Sequence, residues 1–305
     1  METQRTPAIY NVLKPVGMTS HDVVDFMRRL TGQRRVGHAG TLDPAAAGVL
    51  VVMTGRYTRL SPYLIAYDKT YRFEVTFGLA TDTGDADGQV IDERDASHVT
   101  AERVVDVLRE LVGLLLMKPH RFSAAKVDGR KAYEIARTGD EPDLRERPVM
   151  IYKAELIRFY EGEPPRALIE LRVGKGAYVR SLAELIGAQL DTCAYASFVL
   201  RTRSGPVSIN DSWTLDELAA LAEDGRLAEA AIDPGEALSD YPQVLVNPEQ
   251  ARLLANGTPV SYAGGSEMGQ IVTLWADEHT FIGIAEVRGS RPRVLQPRTI
   301  LLSTS

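Results

Sequence analysis

The chain has 305 residues, is 44% hydrophobic and 25% charged, and carries a formal net charge of −6. Its length allows two domains, or one large one with an appendage, and a sizeable core; its composition excludes disordered and collagen-like classes. The N-terminal stretch lacks an apolar signal region, and the apolar runs at 48–53 and 114–117 fall far short of the roughly 20 residues that span a bilayer, so a cytoplasmic protein is expected.

In chain order, Ile9 to Leu13 reads as a short strand entering a Lys-Pro turn. Ser20 reads as the N-cap of a helix over His21 to Leu30, with Val23, Val24, Met27 and Leu30 at helical spacing and Gly32 ending it. Val49 to Met53 is a buried strand. Lys69 to Gly78 alternates, with Tyr71, Phe73, Val75 and Phe77 on one face. A polar turn at Thr81 to Gly88 precedes an amphipathic helix, Ala101 to Val112, with Val104, Val105, Leu108 and Leu111 inward. Residues 118–148 form a basic excursion rich in breakers, expected to be mobile on its own. Ala167 to Val173 reads as a strand, and Tyr178 to Leu190 and Thr214 to Ala222 as helices. Cys193, the one cysteine, excludes an intrachain disulfide and reads as a small buried residue. The Asp-Pro-Gly and Tyr-Pro breaks within Asp233 to Pro242 mark a boundary, giving a mixed α/β domain at 1–238 and a β-rich one at 239–305. In the latter, short strands are expected at Ile271 to Trp275, Phe281 to Val287, Val294 to Leu295 and Thr299 to Leu302.

The negative total conceals an uneven distribution. Residues 1–72 hold ten Lys/Arg against five Asp/Glu, and 118–150 eight against six. Acid is concentrated at 82–111, nine against three, and at 211–240, nine against one. Such a chain can present a basic face to phosphates, although solvated charge explains the pattern equally well. The same two readings apply to Arg28, Arg29, Arg34 and Arg35 near the end of the first helix.

The most unusual segment is Gly37-His38-Ala39-Gly40-Thr41-Leu42-Asp43-Pro44-Ala45-Ala46-Ala47-Gly48. Glycines permit close backbone approach, and Pro44 restricts Asp43 to extended conformations. A carboxylate so held suits a nucleophile or base, while an Asx turn leading into a strand is the structural alternative. No phosphate-binding loop is present. The loop Thr83 to Arg94 has Thr and Arg at the first and last calcium-ligand positions, so it fails as a calcium site. Five scattered histidines do not suggest zinc. What is left is a lone carboxylate with aromatic and basic helpers.

Lys14-Pro15-Val16-Gly17-Met18-Thr19-Ser20 followed by Gly37 to Pro44 resembles the paired signature of the TruB family of tRNA pseudouridine synthases. The resemblance continues through Lys69-Thr70-Tyr71, Thr81 to Gly88, Phe122 to Lys126 with Gly129 to Tyr133, Gly174 to Leu182, and Leu200 to Gly205, covering about residues 9–210. Gly257-Thr258-Pro259-Val260 and Leu295 to Arg298 resemble, more weakly, a PUA-type RNA-binding module. The resemblance implies a pseudouridine synthase fold: a central mixed, largely antiparallel sheet flanked by helices, with an RNA-gripping insertion at about 118–148 and a small C-terminal β-rich PUA-like domain.

It further implies isomerisation of uridine 55 in the tRNA T loop, by a flipped base and without cofactor or metal. Asp43 would be the reactive carboxylate, attacking C1′ or C6 or acting as a base at C2′. Arg180 would hold it charged, and Tyr71 would stack on the uracil and take the C5 proton. His38 would contact nucleotides displaced by the flip, with Asp85 in support. Leu200 would wall the base, and Lys14, Lys126 and Tyr178 would bind substrate. The expected partner is the tRNA T stem-loop, with no nucleotide cofactor and no membrane, and the expected state a monomer. A non-catalytic tRNA binder, a synthase for another RNA and a metal-dependent hydrolase are the competing readings.

Overall fold

A computed structural model of the chain describes residues 6–121, 126–127, 129–132, 135, 140, 142–290 and 292–301. The first strand, β1 (Ile9–Lys14), is buried along almost its whole length. It leads to a helix, Ser20–Thr31, whose cap is Thr19 rather than Ser20. The Thr19 hydroxyl accepts from Asp22 N at 3.0 Å, and the Asp22 carboxylate accepts from Thr19 N at 2.7 Å, a reciprocal capping box. This releases the Ser20 side chain for another task, described below. Gly32 closes the helix at φ 63°, where a residue with a Cβ would be strained.

Next come β2 (Val36–His38) and β3 (Ala46–Thr54), a short helix at Ser61–Ala66, and β4 (Lys69–Phe77). The β4 alternation buries Tyr71, Phe73, Val75 and Phe77. A hairpin of β5 (Leu79–Thr81) and β6 (Val90–Glu93) carries the acidic turn, and the helix Ala101–Leu111 follows. This helix buries Val104, Val107, Leu108 and Leu111; Val107, not Val105, completes its inner face. Then come β7 (Gly113–Met117), a two-stranded ladder of β8 (Lys126–Val127) and β9 (Arg130–Lys131), and the long hairpin of β10 (Arg147–Tyr160) and β11 (Arg166–Val173). The expected mobility around Phe122 and Tyr133 falls outside the described residues. The helix Val179–Gln189 precedes β12 (Ala194–Ser204), β13 (Val207–Ser208), a helix at Leu215–Glu223 and β14 (Ala231–Ile232). Cys193 is only half-buried, at the entry to β12, and not a core residue.

These strands form one sheet in the order β14-β1-β3-β12-β4-β11-β10-β7, with β2 on β3 and β13 on β12. Every pair is antiparallel except β3 with β12. The main core lies between the β4-β11-β10 region and the helices Ala101–Leu111 and Val179–Gln189. The parallel pair matters most for the site. It places Ala46, Ala47 and Gly48, just after Asp43, opposite Val199, Leu200 and Arg201. The antiparallel pair of β12 and β4 sets Arg201 opposite Tyr71.

A second, five-stranded sheet comprises β15 (Gln243–Leu245), β16 (Val260–Ser261), β17 (Ile271–Trp275), β18 (Phe281–Arg288) and β19 (Val294–Ile300), with a helix at Pro248–Ala255. The expected strand at Val294 to Leu295 and the first residues of that expected at Thr299 belong to a single strand, Val294–Ile300, running through Pro297; Leu302 lies outside the described residues. Pro297 lies at a register shift against Ile284 and Ala285, where a missing N–H is tolerated. No helix among the described residues is long and apolar enough to cross a membrane.

Candidate active site

The turn from Gly40 to Ala45 has no regular structure of its own, so its neighbours hold it. Ser20 Oγ donates to Leu42 O at 2.9 Å and accepts from Leu42 N at 2.8 Å, clamping the residue before Asp43 on both sides. Gly17 N donates to Pro44 O at 2.8 Å, and Ala46 N to Asp43 O at 3.1 Å. Lys14 Nζ donates to Ala46 O at 2.6 Å and to Pro15 O at 2.7 Å. Arg201 spreads its fork over the other side: Nε to Val49 O at 2.7 Å, Nη2 to Gly40 O at 3.0 Å and Nη1 to Thr41 O at 3.3 Å. Asp43 therefore sits on a backbone pinned from β1, β12 and the first helix.

Arg180, in the first turn of the helix Val179–Gln189, reaches the Asp43 carboxylate, with Nη2 to Oδ2 at 2.7 Å. Its Nη1 donates to Thr83 O at 2.8 Å and lies 3.4 Å from Asp85 Oδ2. The Asp85 carboxylate is itself oriented, accepting from Thr83 Oγ1 at 2.6 Å and from Asp87 N at 3.2 Å. The turn is tied to β12 by Ala196 N donating to Gly84 O at 3.1 Å. One guanidinium thus bridges two carboxylates that lie 42 residues apart in sequence, as the numbering shows.

These groups line a cavity of about 620 Å³ whose walls include His38, Tyr71, Lys175, Tyr178, Val199 and Arg201. Its size is within the range of small-ligand sites. A hollow of about 760 Å³ in the C-terminal sheet has Gln, Ser and Tyr262 as its polar side chains and no carboxylate or histidine, so it lacks the chemistry. No cluster of three or more His, Cys, Asp or Glu suited to a metal occurs among the described residues.

The placements of the expected site residues differ in kind. Asp43, Tyr71, Arg180, His38, Asp85 and Tyr178 all line this cavity. Burial, and then the positive charge of Arg201, push the His38 imidazole below its usual pKa, which favours the neutral ring. Lys14 does not meet the substrate-binding expectation. Its side chain is 0% exposed and spent on carbonyls; burial lowers its pKa to about 8 against the opposing pull of Asp43. It is a support of the Asp43 turn. Leu200 is half-buried and is not among the residues lining the cavity: it pairs with solvent-facing Arg72, while its neighbours Val199 and Arg201 on the same strand line the wall. The Lys126 side chain lies outside the described residues. Arg28 is engaged with Asp25 on its own helix, while Arg29, Arg34 and Arg35 are exposed.

With this geometry in hand, comparison with known proteins decides the family. The TruB family pseudouridylate synthase N-terminal domain matches residues 28–179, and the C-terminal region of pseudouridine synthase II TruB matches 242–301. The tRNA pseudouridine synthase B of Pelotomaculum thermopropionicum is 47% identical over 262 residues, covering 85% of this chain and 83% of that protein. That of Symbiobacterium thermophilum is 45% identical over 249 residues, covering 82% and 81%. The chain belongs to the TruB family of pseudouridylate synthases. The fold agrees. A chain from a Cbf5-Nop10-Gar1 complex superposes with a TM-score of 0.77 at 23% identity, covering 98% of this chain and 86% of that one. A chain from an H/ACA ribonucleoprotein bound to a substrate RNA containing 2′-deoxyuridine gives 0.76 at 22%, covering 99% and 87%.

In this TruB-family chain the sequence does not single out Lys69, Arg201, Val199 or Ser20 as site residues. Lys69 and Arg201 are nearly buried cations in the cavity wall, and Ser20 is the clamp on Leu42. Lys69 and Arg201 lie within matched motifs, but nothing local distinguishes a buried cation from a solvated one. Ser20 was visible only as a capping residue.

Proposed function

We propose that this enzyme converts uridine to pseudouridine in the T loop of tRNA, at uridine 55, acting on a base flipped out of its stack with Asp43 as the reactive carboxylate. The observation that carries the reading is the Asp43 carboxylate, held at 2.7 Å by Arg180 at the wall of a nucleoside-sized cavity that also holds Tyr71. The relatives named tRNA pseudouridine synthase B support tRNA as the substrate.

The uracil must leave its stack, since stacking hides C1′ and C6. Asp43 then opens the reaction by attack on C1′, by addition at C6, or by taking a C2′ proton. Arg180 pairs with the carboxylate and aims it. The N1–C1′ bond breaks, the base turns, and a C5–C1′ bond forms; a bond made to Asp43 is broken in turn, displaced from C1′ by C5 or eliminated from C6, so the carboxylate is regenerated. C5 releases its proton with Tyr71 as the acceptor, and N1 ends protonated, so nothing is consumed. His38 and Asp85 assist the flip, and Val199 and Tyr178 bound the base. Residues 1–238 serve as the catalytic domain and 239–305 as an RNA-binding module, in a cytoplasmic monomer needing neither metal nor cofactor.

Carbodiimide mapping of pseudouridine in an unmodified tRNA transcript, incubated with the enzyme in EDTA, tests this. A single new reverse-transcription stop reporting position 55, absent from a transcript with cytidine there, is expected. Stops elsewhere, or a requirement for added metal, would overturn the reading.

A further inference from the structure

The cavity wall carries two sets of charged groups. Arg180 is flanked by Asp43 and Asp85. Lys69 and Arg201, 7% and 1% exposed, are neighbours on the same wall. Every hydrogen bond they make among the described residues goes to a backbone carbonyl: Lys69 Nζ to Tyr67 O at 2.6 Å and Ile65 O at 2.7 Å, and Arg201 to Val49, Gly40 and Thr41. Carbonyl dipoles offset only part of the cost of burying two neighbouring like charges. Burial, and then the Arg201 charge, bring the Lys69 pKa down to about 8, and Lys175 on the same wall adds to the repulsion. Asp68 is the carboxylate that opposes this, and it is engaged by Arg172.

Both cations keep donors in reserve. An ammonium has three and Lys69 uses two; a guanidinium has five and Arg201 uses three. Gly40 lies against both: a Cβ there would stand 3.6 Å from Arg201 Nη1 and 3.8 Å from Lys69 Cε, ordinary contact distances, and its φ of +109° disfavours any side chain. The two cations thus concentrate positive charge that no acidic side chain among the described residues hydrogen-bonds.

We infer that Lys69 and Arg201 form a phosphate subsite inside the cavity, which takes one of the two backbone phosphodiesters flanking the reacting uridine. This rests on the proposed action on uridine in RNA and specifies how the nucleotide is held. A flipped nucleotide pivots on its two phosphates, so fixing one of them fixes the nucleoside that must face Asp43. Tyr71, opposite Arg201 across the β4–β12 pair, then meets the base of the same nucleotide.

The test alters the RNA, so a folding defect in the protein cannot imitate its result. T-arm stem-loops are made with ordinary phosphates, with a neutral methylphosphonate 5′ to the target uridine, or with one 3′ to it. Single-turnover rates and dissociation constants are measured for wild type and Lys69→Met. One of the two neutral linkages is expected to lower wild-type activity roughly 10- to 100-fold, the size of one hydrogen bond to a charged group. Lys69→Met should lose a similar factor on ordinary RNA and little more on that neutral linkage. Wild-type activity within about twofold on both neutral RNAs, or losses in Lys69→Met that multiply with the linkage loss, would overturn the subsite. An enzyme inactive on the ordinary stem-loop would instead overturn the functional reading, and the subsite with it.

Discussion

Replacing Arg180 with lysine keeps the charge and removes the fork. The Arg180 side chain is 7% exposed and serves three acceptors at once: Asp43 at 2.7 Å, Thr83 O at 2.8 Å and Asp85 at 3.4 Å. A single ammonium on a shorter stem cannot occupy positions set by two guanidinium nitrogens, so Arg180→Lys gives up at least one charge-assisted contact. Such a bond is worth about 1.5–3 kcal/mol. Asp43 is 39% exposed, so water screens part of the Coulomb gain and the lower half of that range applies. If the contact aims the carboxylate at the transition state, the rate should fall roughly 10- to 50-fold, since each 1.36 kcal/mol is tenfold. Tritium release from tRNA labelled at uridine C5, with enzyme in excess, measures the chemical step, while filter binding measures affinity. The account expects the loss in the rate and less than about a threefold change in affinity, with an unchanged circular dichroism spectrum. A rate within twofold of wild type, or a loss lying wholly in affinity, would refute the reasoning.

The buried lysines make stability depend on pH. Lys14 and Lys69 each have a folded pKa near 8, below the unfolded value of about 10.5, so the unfolded chain binds more protons between these limits. Stability therefore rises with pH through that window, by on the order of 1–2 kcal/mol per lysine from pH 8 to 9.5. Urea midpoints should increase over that range in wild type and increase less in Lys14→Met; a flat or falling wild-type midpoint would contradict this. Above about pH 10 buried tyrosines such as Tyr67, whose pKa is raised by burial, reverse the trend, because they stay protonated only in the folded state. Gly48→Ala should cost about 3 kcal/mol or more, since the new Cβ would fall 2.2 Å from Arg201 O at φ +112°, where two strand backbones meet. Gly225→Ala, at φ +73° with nothing within 4 Å, should cost only about 1 kcal/mol. Equal urea midpoints for the two variants would sink that distinction.

Local signals in the sequence carry much of the fold. The period of two in β4 and the left-handed stop at Gly32 need only neighbours along the chain. Errors arise where two local answers are close: Thr19 and Ser20 are equally good caps, and Val105 and Val107 differ by one small rotation about the helix. The 14-residue strand β10 lacks a clear period of two in sequence, because register shifts at Ile151/Lys153 and Leu156/Arg158 break its alternation. At the site, the motif glycines and Asp43 stand out locally, whereas Asp85 on Arg180 and Arg201 under Gly40 depend on contacts 95 and 161 residues apart. Lys14 and Leu200 show the converse. Their motif positions suggest substrate contact, but burial decides one and strand alternation the other.

The most direct test of the central claim compares wild type with Asp43→Asn on tritium-labelled tRNA transcript in EDTA. Asparagine preserves the shape of the turn and removes the charge that Arg180 holds. The account predicts release by wild type, none above background by Asp43→Asn, and similar tRNA binding by both. Full release by Asp43→Asn would contradict it.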